Sequence, residues 1–286
     1  MLESTLRFAP PPRPMPFSLS MTTVLNLVVQ IGFGVLGFAS IFVWTFVANA
    51  DYSFITFKGA LGRATGTVTR VVDTNARENR STVRENHFQY SVAGERMEGV
   101  SYSTGRQVEP GDRVLVEFLE STPQRARISG QRTGLFSPAV MFVLLFPLVG
   151  LALIVFGMRW GSKRARLLRE GIFTTGVLKS KTATNTRVNN RRVYELIFEF
   201  TARDGRRCEA KARTSMTDRL QDEREEPLLY NPDKPEDAVM LDDGPGRPRF
   251  DESGMLVGRP VAALFSMILP ALVIVANVLA LLVKLG

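Results

Sequence analysis

The stretch Phe136–Arg169 constrains the chain more than any other: FSPAVMFVLLFPLVGLALIVFGM, without an ionisable side chain, runs straight into RWGSKRARLLRE. At about 1.5 Å of rise per residue, such a helix outreaches a hydrocarbon core of roughly 30 Å. Arg159, Lys163, Arg164, Arg166 and Arg169 follow at once, the pattern that keeps a helix end on the cytoplasmic side. The expectation is a membrane crossing over 136–158 with folded material on both sides of it.

Two more apolar spans flank this one. Met21 to Val47 has no ionisable residue and is read as a transmembrane helix over 21–49. A cleaved secretory signal is the rival reading, because Arg7 and Arg13 precede the span and Ala48-Asn49-Ala50 follows it. Signal peptides, however, have apolar runs of only about 7 to 15 residues. Asn26 and Gln30 lie four apart on one helix face, where they could hydrogen-bond another helix, but near the cytoplasmic end they are expected to reach headgroup water. The third span, a transmembrane helix over 260–284, contains Pro270 and Asn277. Its pairs Ala262/Ser266 and Ala276/Ala280 have the small-x-x-x-small spacing of helix-packing positions, within the chain or in a homo-oligomer. Residues 1–20 include Pro10, Pro11, Pro12, Pro14 and Pro16, which predicts an extended, disordered tail.

The segments 51–134 and 159–258 read as two copies of one β domain. In the first, Ala64–Val72 and Asp112–Phe118 alternate apolar and polar residues, the period of half-buried strands. His87–Val92 and Glu95–Tyr102 form a hairpin across Ala93-Gly94, Arg125–Ile128 is a last strand, and the polar run Asn75–Glu85 reads as an exposed loop. The second copy repeats the order with Gly171–Lys181, Arg192–Thr201, a turn at Arg203-Asp204-Gly205, and Arg206–Arg213. Ala64-Thr65-Gly66-Thr67-Val68 matches Thr174-Thr175-Gly176-Val177-Leu178, and the span from Gly66 to Pro123 is two residues shorter than that from Gly176 to Pro235. About five short strands per copy predict small all-β barrels of the SH3 or OB type.

A formal charge of +8 would suit nucleic acid in a soluble protein. Here five of the positive charges adjoin one apolar helix, so they are read as a topology anchor or a contact for anionic lipid, with no nucleic-acid partner. The same rule puts the N-terminus and 159–258 in the cytoplasm and 51–134 outside, and Arg247, Arg249 and Arg259 before the third span agree. Cys208 would then sit in a reducing compartment.

Catalytic patterns are absent from the sequence. There is one histidine and one cysteine, His87 and Cys208, and they fall in different copies. No HExxH, CxxC, phosphate-binding glycine loop or GxSxG element is present. Asp233, Glu236, Asp237, Asp242 and Asp243 gather near the last strand without the ligand spacing of a calcium loop, and read as a solvated turn. No cofactor and no metal are expected.

Leu229-Tyr230-Asn231-Pro232-Asp233-Lys234-Pro235-Glu236-Asp237-Ala238, with the Gly176-Val177 opening and the Tyr194–Phe200 strand before Asp204-Gly205, resembles the bacterial membrane family called domain of unknown function 3592. The resemblance implies small β domains joined to transmembrane helices, in two tandem copies, and brings no catalytic residues. The first copy departs from it, with Phe118-Leu119-Glu120-Ser121-Thr122-Pro123 where Tyr-Asn-Pro is expected. The resulting expectation is a non-enzymatic interaction or scaffold protein of the bacterial inner membrane, its partners the bilayer and unidentified envelope or membrane proteins. An auxiliary subunit of a transporter or channel is the alternative, and a membrane enzyme using carboxylates a more distant one.

Overall fold

The computed structural model describes residues 8–105, 107–188, 190–221, 224–242 and 248–285. Arg7, Asp243 and Arg247, used in the sequence argument, lie outside them. The chain forms two compact units, Leu36–Leu148 and, together, Met1–Val35 with Val149–Gly286.

In the first of these units the alternating segments form an antiparallel sheet of β1 (Leu61–Glu78), β2 (Ser81–Val92), β3 (Glu95–Thr104), β4 (Arg113–Leu119) and β5 (Thr122–Ile128), in the order β3-β2-β1-β4-β5. The second unit holds β6 (Ile172–Val188), β7 (Arg191–Thr201), β8 (Arg207–Thr214), β9 (Glu226–Asn231) and β10 (Lys234–Met240), ordered β8-β7-β6-β9-β10. Strand for strand the two orders are the same. The irregularities match as well: the long hairpin shifts register between Val68 and Arg70 and between Asp73 and Arg77 in one sheet, and between Leu178 and Ser180 and between Ala183 and Arg187 in the other. At the second shift a threonine occupies the gap in each copy. Thr74 Oγ1 donates to the Val83 carbonyl at 2.7 Å and accepts from Ala76 N–H, and Thr184 Oγ1 donates to Val193 at 2.8 Å and accepts from Thr186 N–H. A β-bulge leaves backbone groups off the ladder, and a short hydroxyl beside it satisfies them.

Inward-facing residues fill one face of each sheet. Val68, Phe88, Tyr90, Val116, Phe118 and Ile128 make the first core, and Leu196, Phe198, Phe200, Leu228, Tyr230 and Met240 the second. One position differs in kind. Asn86 is fully buried where the second copy has Leu196, and its Nδ2 donates to Ser103 Oγ at 3.0 Å and Gln131 Oε1 at 2.9 Å.

Two expectations are corrected. The sheets are open and not closed barrels: β3 and β5 share no ladder, although Ser101 Oγ on β3 accepts from Ile128 N–H on β5 at 2.8 Å and Tyr102 bridges to Arg132 beyond β5. Alternation marks which face is buried and carries no information on whether the outer strands pair, which depends on tilt and stagger. The run Asn75–Glu85 is also no loop. β1 continues to Glu78 and β2 begins at Ser81, around a two-residue turn in which Asn79 and Arg80 have φ of 48° and 69°. That is the twist a tight hairpin needs. This arm has few apolar residues on either face, so the ladder leaves no hydrophobic period to read.

The helices are α1 (Phe17–Val24), α2 (Leu27–Thr45), a short α3 (Ser53–Thr56), α4 (Leu145–Glu170), entered through a 3-10 segment over Pro138–Leu144, and α5 (Pro260–Leu285). Among the described residues, three helical spans are long and apolar enough to cross a membrane: Leu27–Asn49, Pro138–Glu170 and Pro260–Leu285. The first expected span is interrupted, because the chain leaves helical geometry between α1 and α2.

The described part of the proline-rich lead-in, from Phe8 on, is docked on the second unit and not a disordered tail. The Phe8 ring stacks on Phe173 at 4.0 Å and meets Phe250 edge-on at 4.7 Å, over a cluster of Leu19, Leu168, Leu229, Leu241 and Leu256. Proline stiffness removes a helix without forbidding a docked extended strand, and Phe8, Met15 and Leu19 supply the apolar surface that docks.

Gly66 lies flat against β4: a side chain there would meet Val116 Cγ2 at 2.7 Å and the Gln89 carbonyl at 2.8 Å. Gly66→Val should destabilise the first sheet by about 1–3 kcal/mol. Amide hydrogen exchange should show lost protection across β1, β2 and β4, with β6–β10 unchanged.

Candidate functional site

The first helical break is made by one amide. Asn26 precedes α2 and its Oδ1 accepts from Val28 N–H at 3.0 Å and Val29 N–H at 3.3 Å, the bonds of an N-terminal cap. Its Nδ2 reaches the Gly157 carbonyl on α4 at 2.7 Å. Four residues on, Gln30 Nε2 donates to the Ser266 carbonyl on α5 at 2.8 Å and to Leu25 at 3.2 Å. Both side chains thus bond neighbouring helices, which overturns their expected role of reaching headgroup water. The pair shares a face at the point where three helices meet, and an unmade hydrogen bond in an apolar setting is costly.

Glycine permits the approach. A side chain at Gly157 would meet Val29 Cγ2 at 2.7 Å and Val29 N at 3.0 Å, and one at Gly161 would meet Val24 Cα at 2.8 Å. Gly157-x-x-x-Gly161 is a backbone-contact motif that could have been read from the sequence and was not. On α5 the inner stripe is Ala263, Ser266, Pro270, Val273, Asn277 and Ala280, all buried or half-buried. Of the four predicted packing residues, Ser266 and Ala280 lie on that stripe, whereas Ala262 and Ala276 are exposed.

The five basic residues do not share one environment. Arg159, Lys163, Arg166 and Arg169 are exposed, and Arg164 is half-buried. Lys163 Nζ pairs with Asp237 Oδ1 at 2.6 Å, joining α4 to β10, and Arg169 lies 3.5 Å from Glu170. Arg13, read in the sequence only as a charge before the first span, is 3% exposed. Its guanidinium donates to the carbonyls of Ala9 at 2.6 Å, Gly171 at 2.8 Å and Leu168 at 3.3 Å. The last carbonyls of a helix lack intrahelical donors and carry the negative end of its dipole, so Arg13 seals the end of α4. Burial lowers the Arg13 guanidinium from its ordinary value without discharging it.

In the other unit two carboxylates tie the sheet to the helix ends. Asp51, 5% exposed, accepts from Thr133 Oγ1 at 2.6 Å, Thr133 N–H at 3.2 Å and Ser53 N–H at 3.0 Å. Glu78 takes both oxygens to Arg132 at 2.8 and 2.9 Å and also accepts from Thr104 Oγ1 and Ser137 N–H. Burial alone would raise both carboxyls. The bonds from Thr133 and Ser53 outweigh it for Asp51, and those from Arg132, Ser137 and Thr104 with the Arg132 charge outweigh it for Glu78, holding both below the ordinary carboxylate range.

His87 is half-buried on β2, 2.8 Å from Glu85 and 3.0 Å from Arg70. Cys208 is half-buried on β8, its thiol directed to the Arg206 carbonyl. Among the described residues no three His, Cys, Asp or Glu side chains gather as a metal site. No family model matches the chain, and no curated protein matches it.

Asn26→Ala removes a cap and an interhelical bond, about 1 kcal/mol plus roughly 0.6 kcal/mol. Gln30→Ala removes about 0.6 kcal/mol. Unfolding of the purified protein in mixed detergent micelles should rank Asn26→Ala as the more damaging change. Because the folded Glu78 carboxyl is depressed, its stabilisation is complete above its unfolded value and is lost as pH falls through the folded one. Thermal unfolding of the first sheet should therefore show an acid limb below about pH 4 that Glu78→Gln flattens while lowering stability at pH 7.

Proposed function

We propose that the chain is a multi-pass, non-enzymatic protein of a bacterial inner membrane, of the kind its resemblance to the domain of unknown function 3592 family implies. In this reading the two sheets are interaction platforms, the first outside and the second in the cytoplasm. The observation that carries it is mechanical. Each sheet is fixed to helix ends by polar contacts that are buried or half-buried: Asp51–Thr133 and Glu78–Arg132–Ser137 in one unit, and Arg13 across the end of α4, one residue before β6, in the other. A domain that only needed tethering would be joined by a flexible linker. Fixed attachment suits a surface presented to a partner at a set height and orientation. Beside the first sheet, α3 carries Phe54 and Ile55, 51% and 53% exposed, which fits a seat in the headgroup layer.

The alternative, an auxiliary subunit of a transporter or channel, is favoured by one feature, the exposed small residues Ala262 and Ala276 on the outer face of α5. Both readings predict the same sidedness. In intact cells a membrane-impermeant maleimide should label Ser81→Cys in a Cys208→Ser background, and should label Cys208 only after permeabilisation. Photo-crosslinkers at the exposed Leu115 of β4 and Val177 of β6 should then capture different proteins from the two compartments. A stoichiometric multispanning partner crosslinked from Ala262 and Ala276 instead supports the alternative. Substrate turnover abolished by one carboxylate change would sink the non-enzymatic reading.

A further inference from the structure

The break between α1 and α2 opens a groove of about 510 Å³ against α4 and α5, within the range of small-ligand sites. Leu25, Val28, Trp160 and Ala262 give it a mainly apolar lining, and Arg164 and Arg259 stand in the same wall. Arg164 is distinctive among the five basic residues. It continues the inward series Ile154, Gly157, Gly161 and Leu168 at helical spacing, and is half-buried where Arg159, Lys163 and Arg166 are exposed. Arg259, directly before α5, is half-buried too.

From this we infer a specific site for one anionic phospholipid, with the headgroup phosphate held by Arg164 and Arg259 and the start of an acyl chain lying along Trp160, Val28 and Ala262. The two guanidiniums match a phosphate in charge. The apolar lining excludes a free phosphate as the natural occupant, because it would leave most of the groove unfilled. The site rests on the membrane reading but not on the interaction role of the sheets. It also differs from diffuse attraction of lipid to a basic helix end, which salt screens.

Trp160 reports on the groove directly. In a Trp44→Phe background, reconstituted full-length protein is exposed to phosphatidylglycerol or phosphatidylcholine with brominated acyl chains, at equal mole fraction. We expect stronger quenching by the anionic lipid, a preference that survives 0.5 M salt and is unaffected by added inorganic phosphate. Arg164→Gln with Arg259→Gln should reduce the preference at least about fivefold. Arg159→Gln with Arg166→Gln should leave it, and Arg164→Lys with Arg259→Lys should retain most of it, which separates loss of charge from loss of fold. Equal quenching by both lipids overturns the site, as does a preference abolished by salt or by the Arg159 and Arg166 changes, or lost equally in the lysine pair. Quenching by neither lipid overturns the membrane placement itself.

Discussion

A polar group inside an apolar span must find a partner within the protein, and in this chain that constraint falls first on Asn26. One amide ends α1, caps α2 and bonds the α4 backbone, so the same side chain sets where the first span begins and which helix lies beside it. Gln30 repeats the bond toward α5. The glycines of α4 follow from this, because an amide as short as asparagine reaches a neighbouring carbonyl only when the backbones are close. The kink in turn leaves the groove that Arg164 and Arg259 line.

Arg13 solves the corresponding problem where α4 ends. The chain enters β6 after a single residue, so the last helical carbonyls have no continuing helix to supply donors. A buried guanidinium satisfies them, and the proline-rich lead-in is held in place as a consequence. In the other unit Asp51 and Glu78 serve the opposite charge sense, binding N–H and hydroxyl donors around the points where chain leaves α2 and enters the 3-10 segment before α4. Both sheets are therefore attached by ionic groups that are buried or half-buried and bonded on several sides, a stiffer joint than exposed ion pairs would make.

The duplication shows what such a fold tolerates. Bulges, their threonines and the strand order are the same in both sheets, whereas Asn86 with Ser103 and Gln131 in one core gives way to Leu196 in the other. Backbone irregularity is constrained by the ladder on both sides of it. A core position needs a volume filled, and where it is polar a partner for its donor, as Asn86 Nδ2 has in Ser103 and Gln131.

Residue pattern alone determined the three apolar spans, the two antiparallel sheets, most strand positions and the repeat, because each rests on a local period or on length against a bilayer. Tertiary structure decided the rest. Whether β3 pairs with β5 depends on sheet curvature that alternation does not encode, and the arm around Asn79-Arg80 buries Val83 and little else, too few residues to produce a period. The lead-in looked disordered because its prolines are local, while Phe173, Phe250 and the end of α4, which receive it, are far away in sequence. Asn26 and Gln30 were visible as a pair, but their role depended on which carbonyls lay opposite. Arg164 could not be told from its four neighbours until the packed face of α4 was known, since charge is written in the sequence and direction is set by what the helix packs against.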